Sequence, residues 1–323
     1  MSRTIPPPRE WLLSIVRWFD SQTGARQGTN PRGVVWLRML PFLGMHLMCA
    51  FVLVVGFSWA AFWVAVALYF ARMFAITGFY HRYFSHRTFR TSRAGQFLFA
   101  VAGASAVQRG PLWWAAHHRK HHQVSDGPDD VHSPVQHGWF KSHVGWLAVP
   151  KNYATNLKLV PDLAKYPELR FLDRFDTLVP VLLAVATFFL GMALETWAPS
   201  LGTSAFQMLV WGFFVSTVFL FHGTCCINSV AHLFGSRRYA TSDTSRNSFL
   251  LSLLTLGEGW HNNHHMFPGT VRQGFRWWEI DLSYYALRGL ALFGLVSELR
   301  PMPARARLGC DQSVMSRPAN SAC

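Results

Sequence analysis

The stretch MLPFLGMHLMCAFVLVVGFSWAAFWVAVALYFA, Met39 to Ala71, contains no charged residue. A helical crossing of a hydrocarbon core needs roughly 20 residues, so this run is too long for one crossing and reads as a hairpin. Gly56, Phe57 and Ser58 supply its turn, between helices at about 39–55 and 59–77. Further along, apolar runs at about 177–197 and 205–226 flank the breaker cluster Ala198-Pro199-Ser200-Leu201-Gly202-Thr203-Ser204 and form a second hairpin. Ala94 to Gln108 is also uncharged but too short to span, and a crossing there would put neighbouring histidine motifs on opposite sides; it reads as interfacial or re-entrant. Four crossings are expected, in an all-α integral membrane fold.

Half of the 323 residues are apolar and only 14% are charged, an excess of apolar surface for one soluble domain. Of the thirty Lys and Arg, six precede the first hairpin, Arg72 lies near its end, thirteen lie between the hairpins and ten follow the second. Neither outer turn carries any, so the positive-inside bias puts both termini and the central loop in the cytoplasm. The net charge of +14 is thus one-faced, read as topological retention with anionic headgroup contact or as capture of a phosphate-bearing acyl carrier; no nucleic-acid partner is expected. Cys49, Cys225, Cys226, Cys310 and Cys323 form no C-x-x-C pair, against a thiolate metal site or disulfide framework. The N-terminal stretch lacks an apolar h-region, so no cleavable signal is expected. Residues 1–38 read as a cytosolic segment, 39–300 as the membrane domain and 301–323 as a polar, poorly ordered tail.

The chemistry lies in the histidines. HRYFSH supplies His81 and His86; HRKHH supplies His118, His121 and His122; NSVAH supplies Asn228 and His232; HNNHH supplies His261, His264 and His265. Positions three and four apart share a helix face, so each triplet reads as a ready half-site. His81 and His86 fall about 140° apart on an ideal α-helix and are expected to straddle a helix end. In the four-crossing topology all these motifs lie on the cytoplasmic side and can converge. Neutral imidazole suits iron, copper, zinc and nickel, and nine such ligands are too many for one ion. His46, His117, His132, His137, His143 and His222 lie outside the spacing logic and receive no ligand role. The H-E-x-x-H of zinc hydrolases does not occur, and the carboxylates near the histidine motifs are not read as metal ligands of the kind that soluble di-iron bundles use. Asp126, Asp129, Asp130 and Glu258 read either as partners that orient imidazoles or as solvated loop charges.

HRYFSH, HRKHH, NSVAHLFG and GEGWHNNHH, in that order, resemble the membrane fatty acyl desaturases of the stearoyl-CoA desaturase-like group, over about Trp36 to Leu287. HSP after Asp130 and SHVGW at Ser142–Trp146 are similar to the same group. The resemblance implies a four-helix membrane protein with a cytosolic cap holding two Fe ions. The implied ligands are His81, His86, His118, His121, His122, His232, His261, His264 and His265, with Asn228 reaching a metal through water. It also implies an acyl tunnel bending past Gln108, Trp114 and Thr224, for which packing is the competing role. The implied activity is dioxygen-dependent insertion of a cis double bond, at position 9 by family default, into an acyl chain carried by CoA, another carrier or a lipid. Gln108 to His122 differs from the animal acyl-CoA enzymes and resembles bacterial members, which points to a bacterial inner membrane. No HPGG haem signature or Gly-rich flavin fingerprint is present, so an external donor is expected: a ferredoxin, a cytochrome b5-like protein or a flavin/iron-sulfur reductase. Two alternative readings compete: a membrane di-iron hydroxylase of alkyl chains, whose motif spacing fits less well, and a metal-ion transporter, for which only His46, His222 and Glu195 could line the bundle interior.

Overall fold

The computed structural model describes residues 8–23 and 36–308. Among these the chain is helical, with isolated bridges and no strands. Four helices are long and apolar enough to cross a membrane: Leu37–Val55, Trp59–Ser85, Leu178–Trp197 and Ala205–Ser229. Local chemistry fixes their outer ends. Ser58 accepts from Ala61 N to cap the second, and Ser204 with Gln207 forms a capping box on the fourth. Gly202, at φ +56°, provides the left-handed turn between the third and fourth. Gly191 lets those two helices cross closely, because a Cβ there would stand 2.5 Å from Ala205 Cα.

The second span corrects the expected boundary near residue 77. It continues to Ser85, through His81 and Arg82, because their polar groups are paired inside the protein: Arg82 donates to Asp281 at 2.9 Å and to Glu258 at 3.2 Å. Its last part, Ala75–Ser85, is π-helical, as is Met208–Val215 in the fourth span. The fourth span also runs past residue 226, to Ser229, and so includes Asn228. Arg72, buried between these two spans, has no carboxylate partner. Its guanidinium instead donates to Thr217 Oγ1 at 2.7 Å, Ser216 Oγ and the Ser105 and Leu68 carbonyls, as a charge at this depth requires.

Arg93–Ala104 is a twelve-residue helix, too short to cross, packed on the end of the second span with Phe97 and Leu98 exposed. The expected polar tail is partly structured. Ala304–Leu308 is helical, and Ala306 is buried, its carbonyl accepting from Tyr239 Oη at 3.2 Å; residues 309–323, with Cys310 and Cys323, lie outside the described residues. In the N-terminal segment, Pro8–Phe19 is a helix tied to the first span by Trp18 Nε1 donating to Leu37 O, while 1–7 and 24–35 lie outside the described residues.

Candidate metal centre

Three helical elements and one turn bring the histidines together: the C-terminal end of the second span, the helix Pro111–Val124, the short helix His261–Met266, and the turn after the fourth span, which carries His232. His81 lies in the π-helical stretch and His86 is the residue that ends it. A π-turn closes its hydrogen bond five residues on, and His86 N–H does donate to His81 O at 3.2 Å. Residues five apart therefore stack rather than diverge. The two rings lie 4.9 Å apart, not on the divergent faces that an α-helix would give them.

The other two elements split their triplets. His81, His86, His118, His122 and His264 place one nitrogen each within 4.8 Å of one another, and His121, His232, His261 and His265 form a second such group. Each triplet is thus not a half-site. Its i and i+4 members serve one group and its i+3 member the other, because positions i+3 and i+4 point about 100° apart. Within the first group the Nε2 atoms of His81, His264, His122, His118 and His86 follow one another at 3.0, 2.9, 3.0 and 2.8 Å.

Carboxylates set the orientation of four rings from behind. Glu258 accepts from His81 Nδ1 at 2.6 Å, Asp130 from His121 Nδ1 at 3.0 Å, Asp126 from His232 Nδ1 at 3.1 Å, and Asp243 from His265 Nδ1 at 2.6 Å. A carboxylate can only accept, so each Nδ1 holds the proton and each Nε2 lone pair faces inward. Asp129 is exposed and plays no such part. Glu258 lies three residues before His261 yet serves His81, and Asp243 gave no signal in the sequence because nothing in TSD at 241–243 marks a ligand partner.

Electrostatics prepares the rings for metal. Burial, reinforced by neighbouring imidazoles, holds His86, His118, His122, His261 and His264 well below the ordinary histidine range, and burial holds His265 at about 4 despite Asp243. All six are therefore neutral near pH 7, the form that ligates. Burial alone would raise Asp130, but the hydrogen bond from His121 brings it down to about 2; Asp126 and Asp243 are likewise lowered against burial by His232 and His265. The donor set fits a pair of cations. His121 Nε2 and His265 Nε2 are buried without a partner, an arrangement costly unless a cation takes the lone pairs.

The short helix His261–Met266 holds its rings through the two asparagines of HNNHH. Asn262 Oδ1 accepts from Arg238 N and Tyr239 N, and Asn247 Oδ1 accepts from Asn262 N and Asn263 N. Beside the histidines lies a cavity of about 690 Å³. Its wall is mostly apolar and comes from the first, third and fourth spans, including Phe42, Ala184 and Val218, while His81, His118, His121 and His261 also line it. Asn228 borders the same cavity. Gln108, Trp114 and Thr224 are brought together there: Gln108 Nε2 donates to Thr224 Oγ1 at 2.9 Å and Trp114 Nε1 to Gln108 Oε1 at 3.4 Å.

Among the remaining histidines, His132 stands near His121 and Asp130 and could add to a metal-holding group, which its spacing did not suggest. His46, His222 and His143 form a separate hydrogen-bonded series at 3.0 Å per step.

The chain is similar to known proteins. The fatty acid desaturase family model matches residues 57–296. An sn-1 stearoyl-lipid 9-desaturase of Anabaena variabilis is 34% identical over 275 residues, covering 84% of this chain and 96% of that protein. A delta-9 acyl-lipid desaturase of Arabidopsis thaliana is 38% identical over 264 residues, covering 80% of this chain and 81% of its own length. An acyl-CoA 5-desaturase of Anemone leveillei is 36% identical over 261 residues, 80% of this chain and 77% of that one.

Proposed function

The chain belongs to the fatty acid desaturase family, and on that premise we propose that it uses two iron ions and dioxygen to insert a cis double bond at position 9 of a carrier-bound acyl chain. The carrying observation is that nine histidines gather in two groups against the wall of one apolar cavity. In this reading His81, His86, His118, His122 and His264 hold one ion, and His121, His232, His261 and His265 hold the other with Asn228 behind a water. When bound, the ions supply the chemistry by which dioxygen removes two hydrogens from unactivated methylenes.

The chain's own residues do the rest. Glu258, Asp130, Asp126 and Asp243 keep the Nδ1 protons in place and the rings aimed. The apolar walls exclude water, and the Trp114–Gln108–Thr224 series holds the acyl chain in one register beside the histidines. The desaturase body spans 39–300, with the metal centre and both termini facing the cytoplasm, in keeping with the arginine distribution. Relatives named for lipid and for CoA substrates are about equally similar, so the carrier is either an acyl lipid or an acyl thioester.

Expression in a host without its own acyl desaturase, with a reductase system supplied and total fatty acid esters analysed by gas chromatography and mass spectrometry, tests the reading. A new cis-9 monoenoic ester that disappears with His121→Ala is expected. Hydroxylated chains in its place would sink it, as would full activity in His121→Ala.

A further inference from the structure

We propose that His46, His222 and His143 build a further metal site, apart from the two histidine groups, in which His46 Nε2 and His222 Nε2 bind a soft monovalent ion, copper(I). His46 lies in the span Leu37–Val55 and His222 in Ala205–Ser229, so the ion would join the first span to the fourth. His143, from the short helix Trp139–His143, orients His222 from behind. The desaturase reading neither requires nor uses these three residues. Ionisable side chains within membrane spans are costly, and these two would otherwise have no task.

A count of hydrogens locates the ion. The series makes five contacts: Phe42 O with His46 Nδ1 at 2.8 Å, His46 Nε2 with His222 Nε2 at 3.0 Å, His222 Nδ1 with His143 Nε2 at 3.0 Å, His143 Nδ1 with Ser229 Oγ at 2.8 Å, and Ser229 Oγ with Cys225 O at 2.9 Å. Each contact needs one hydrogen, whereas three neutral imidazoles and one hydroxyl carry four. Both ends are carbonyls, which only accept. His46 Nδ1 therefore donates to Phe42 and Ser229 Oγ to Cys225; His143 Nδ1 must then donate to Ser229, and His222 Nδ1 to His143. The four hydrogens are spent. His46 Nε2 and His222 Nε2 are left lone pair to lone pair at 3.0 Å, a contact that repels unless a cation sits in it.

The same approach of Nε2 to Nε2, at 2.8 to 3.1 Å, recurs throughout the two histidine groups. A proton would fill the gap less well than a metal ion. Burial, reinforced by His222, holds His143 below the ordinary histidine range, so a positive charge shared along the series is disfavoured near pH 7. A metal ion instead gains two nitrogen bonds of roughly 2.0 Å, for which the rings need part by only about 1 Å. Charge selects a monovalent ion. Among the described residues no carboxylate hydrogen-bonds to any of the three histidines, and Lys141, near His143 in sequence, is exposed and faces His137 Nδ1 at 3.5 Å. Without a counter-charge a second positive charge would be expensive to bury, and of the metals that imidazole suits, copper is the one with a stable monovalent form. His46 also lines the cavity of about 690 Å³, which gives the ion a way in.

The test uses the full-length, iron-loaded enzyme in detergent, kept anaerobic and titrated with copper(I) against bicinchoninate as competing chelator. The parent protein should retain one copper per chain with its iron content unchanged, and X-ray absorption should show nitrogen ligands at a low coordination number. His46→Phe and His222→Phe, in different spans, should each lose the copper and keep the iron, which reports that the variant folds. His143→Leu should weaken copper binding about 10- to 100-fold, as loss of an orienting partner does, and His137→Ala should leave it alone. Should a span variant fail to hold iron, His143→Leu, outside the spans, decides. Copper held equally by His46→Phe, or taken up only as iron leaves, would overturn the proposal by placing the ion elsewhere. No stoichiometric copper in the parent protein would overturn it as well.

Discussion

Asp243 lies off the acyl cavity, yet it holds His265 in the only tautomer that leaves Nε2 free. Removing a carboxylate in this position typically weakens metal binding 10- to 100-fold. Asp243→Asn should therefore lose iron to a competing chelator at roughly 10- to 100-fold lower chelator concentration, while the exposed Asp129→Asn retains it; metal analysis after graded chelation checks both. At Thr224 the expected effect is the reverse. Thr224→Val keeps the volume but removes the acceptor for Gln108 Nε2, so iron content should hold while kcat/KM drops about tenfold, about 1.4 kcal/mol at the transition state. Loss of iron in that variant would place Thr224 in the framework of the metal centre and not in the acyl wall. The nine histidines that gather in the two groups were legible because they cluster in short motifs along the sequence. Asp243 was not, because a residue that orients a ligand needs only to reach it in space, and the chain brings it from 22 positions away.

The elements behave differently from the ideal helices by which their sequences are read. Spacing alone set His81 and His86 across a helix end, and His86 does end that helix, though the π-helical stretch brings the two rings together; spacing also made each triplet a unit, which the 100° between adjacent positions divides between two groups. No residue pattern announces a π-turn, which forms here because the helix end is held from outside. Arg119 does much of that holding. It donates to the Phe84 carbonyl at 2.8 Å, the Ser85 carbonyl at 3.0 Å and the Leu159 carbonyl at 3.0 Å, and it pairs with Asp162 at 2.7 Å. It thus ties the helix bearing HRKHH to the end of the helix bearing HRYFSH. Arg119→Leu leaves those carbonyls without a donor and should cost about 2–4 kcal/mol, since hydrogen bonds to a charged group contribute about 1.5–3 each. A lowered melting midpoint in detergent, with iron lost at lower temperature than in the parent protein, is the expected result. An unchanged midpoint would show that the π-turn stands without the tether.

At the scale of the whole molecule, the spans expose apolar side chains that no soluble protein would leave uncovered. Leu53 is 88% exposed, Trp197 83%, Phe219 69% and Trp59 66%, and Trp59 and Trp197 lie beside the two hairpin turns, where aromatic rings favour the headgroup level. Those turns carry no Lys or Arg, whereas the segments that build the metal centre carry many. The proposed orientation rests on that asymmetry: moving the centre outward would require the thirteen cations of the central region to cross. Alkaline phosphatase inserted after Gly202, which is exposed and in an open turn, should accordingly be active outside the membrane, and a fluorescent protein fused after Cys323 should mature inside. A phosphatase that stays silent at Gly202, with fluorescence lost at the C-terminus, would invert the topology and overturn the proposed orientation.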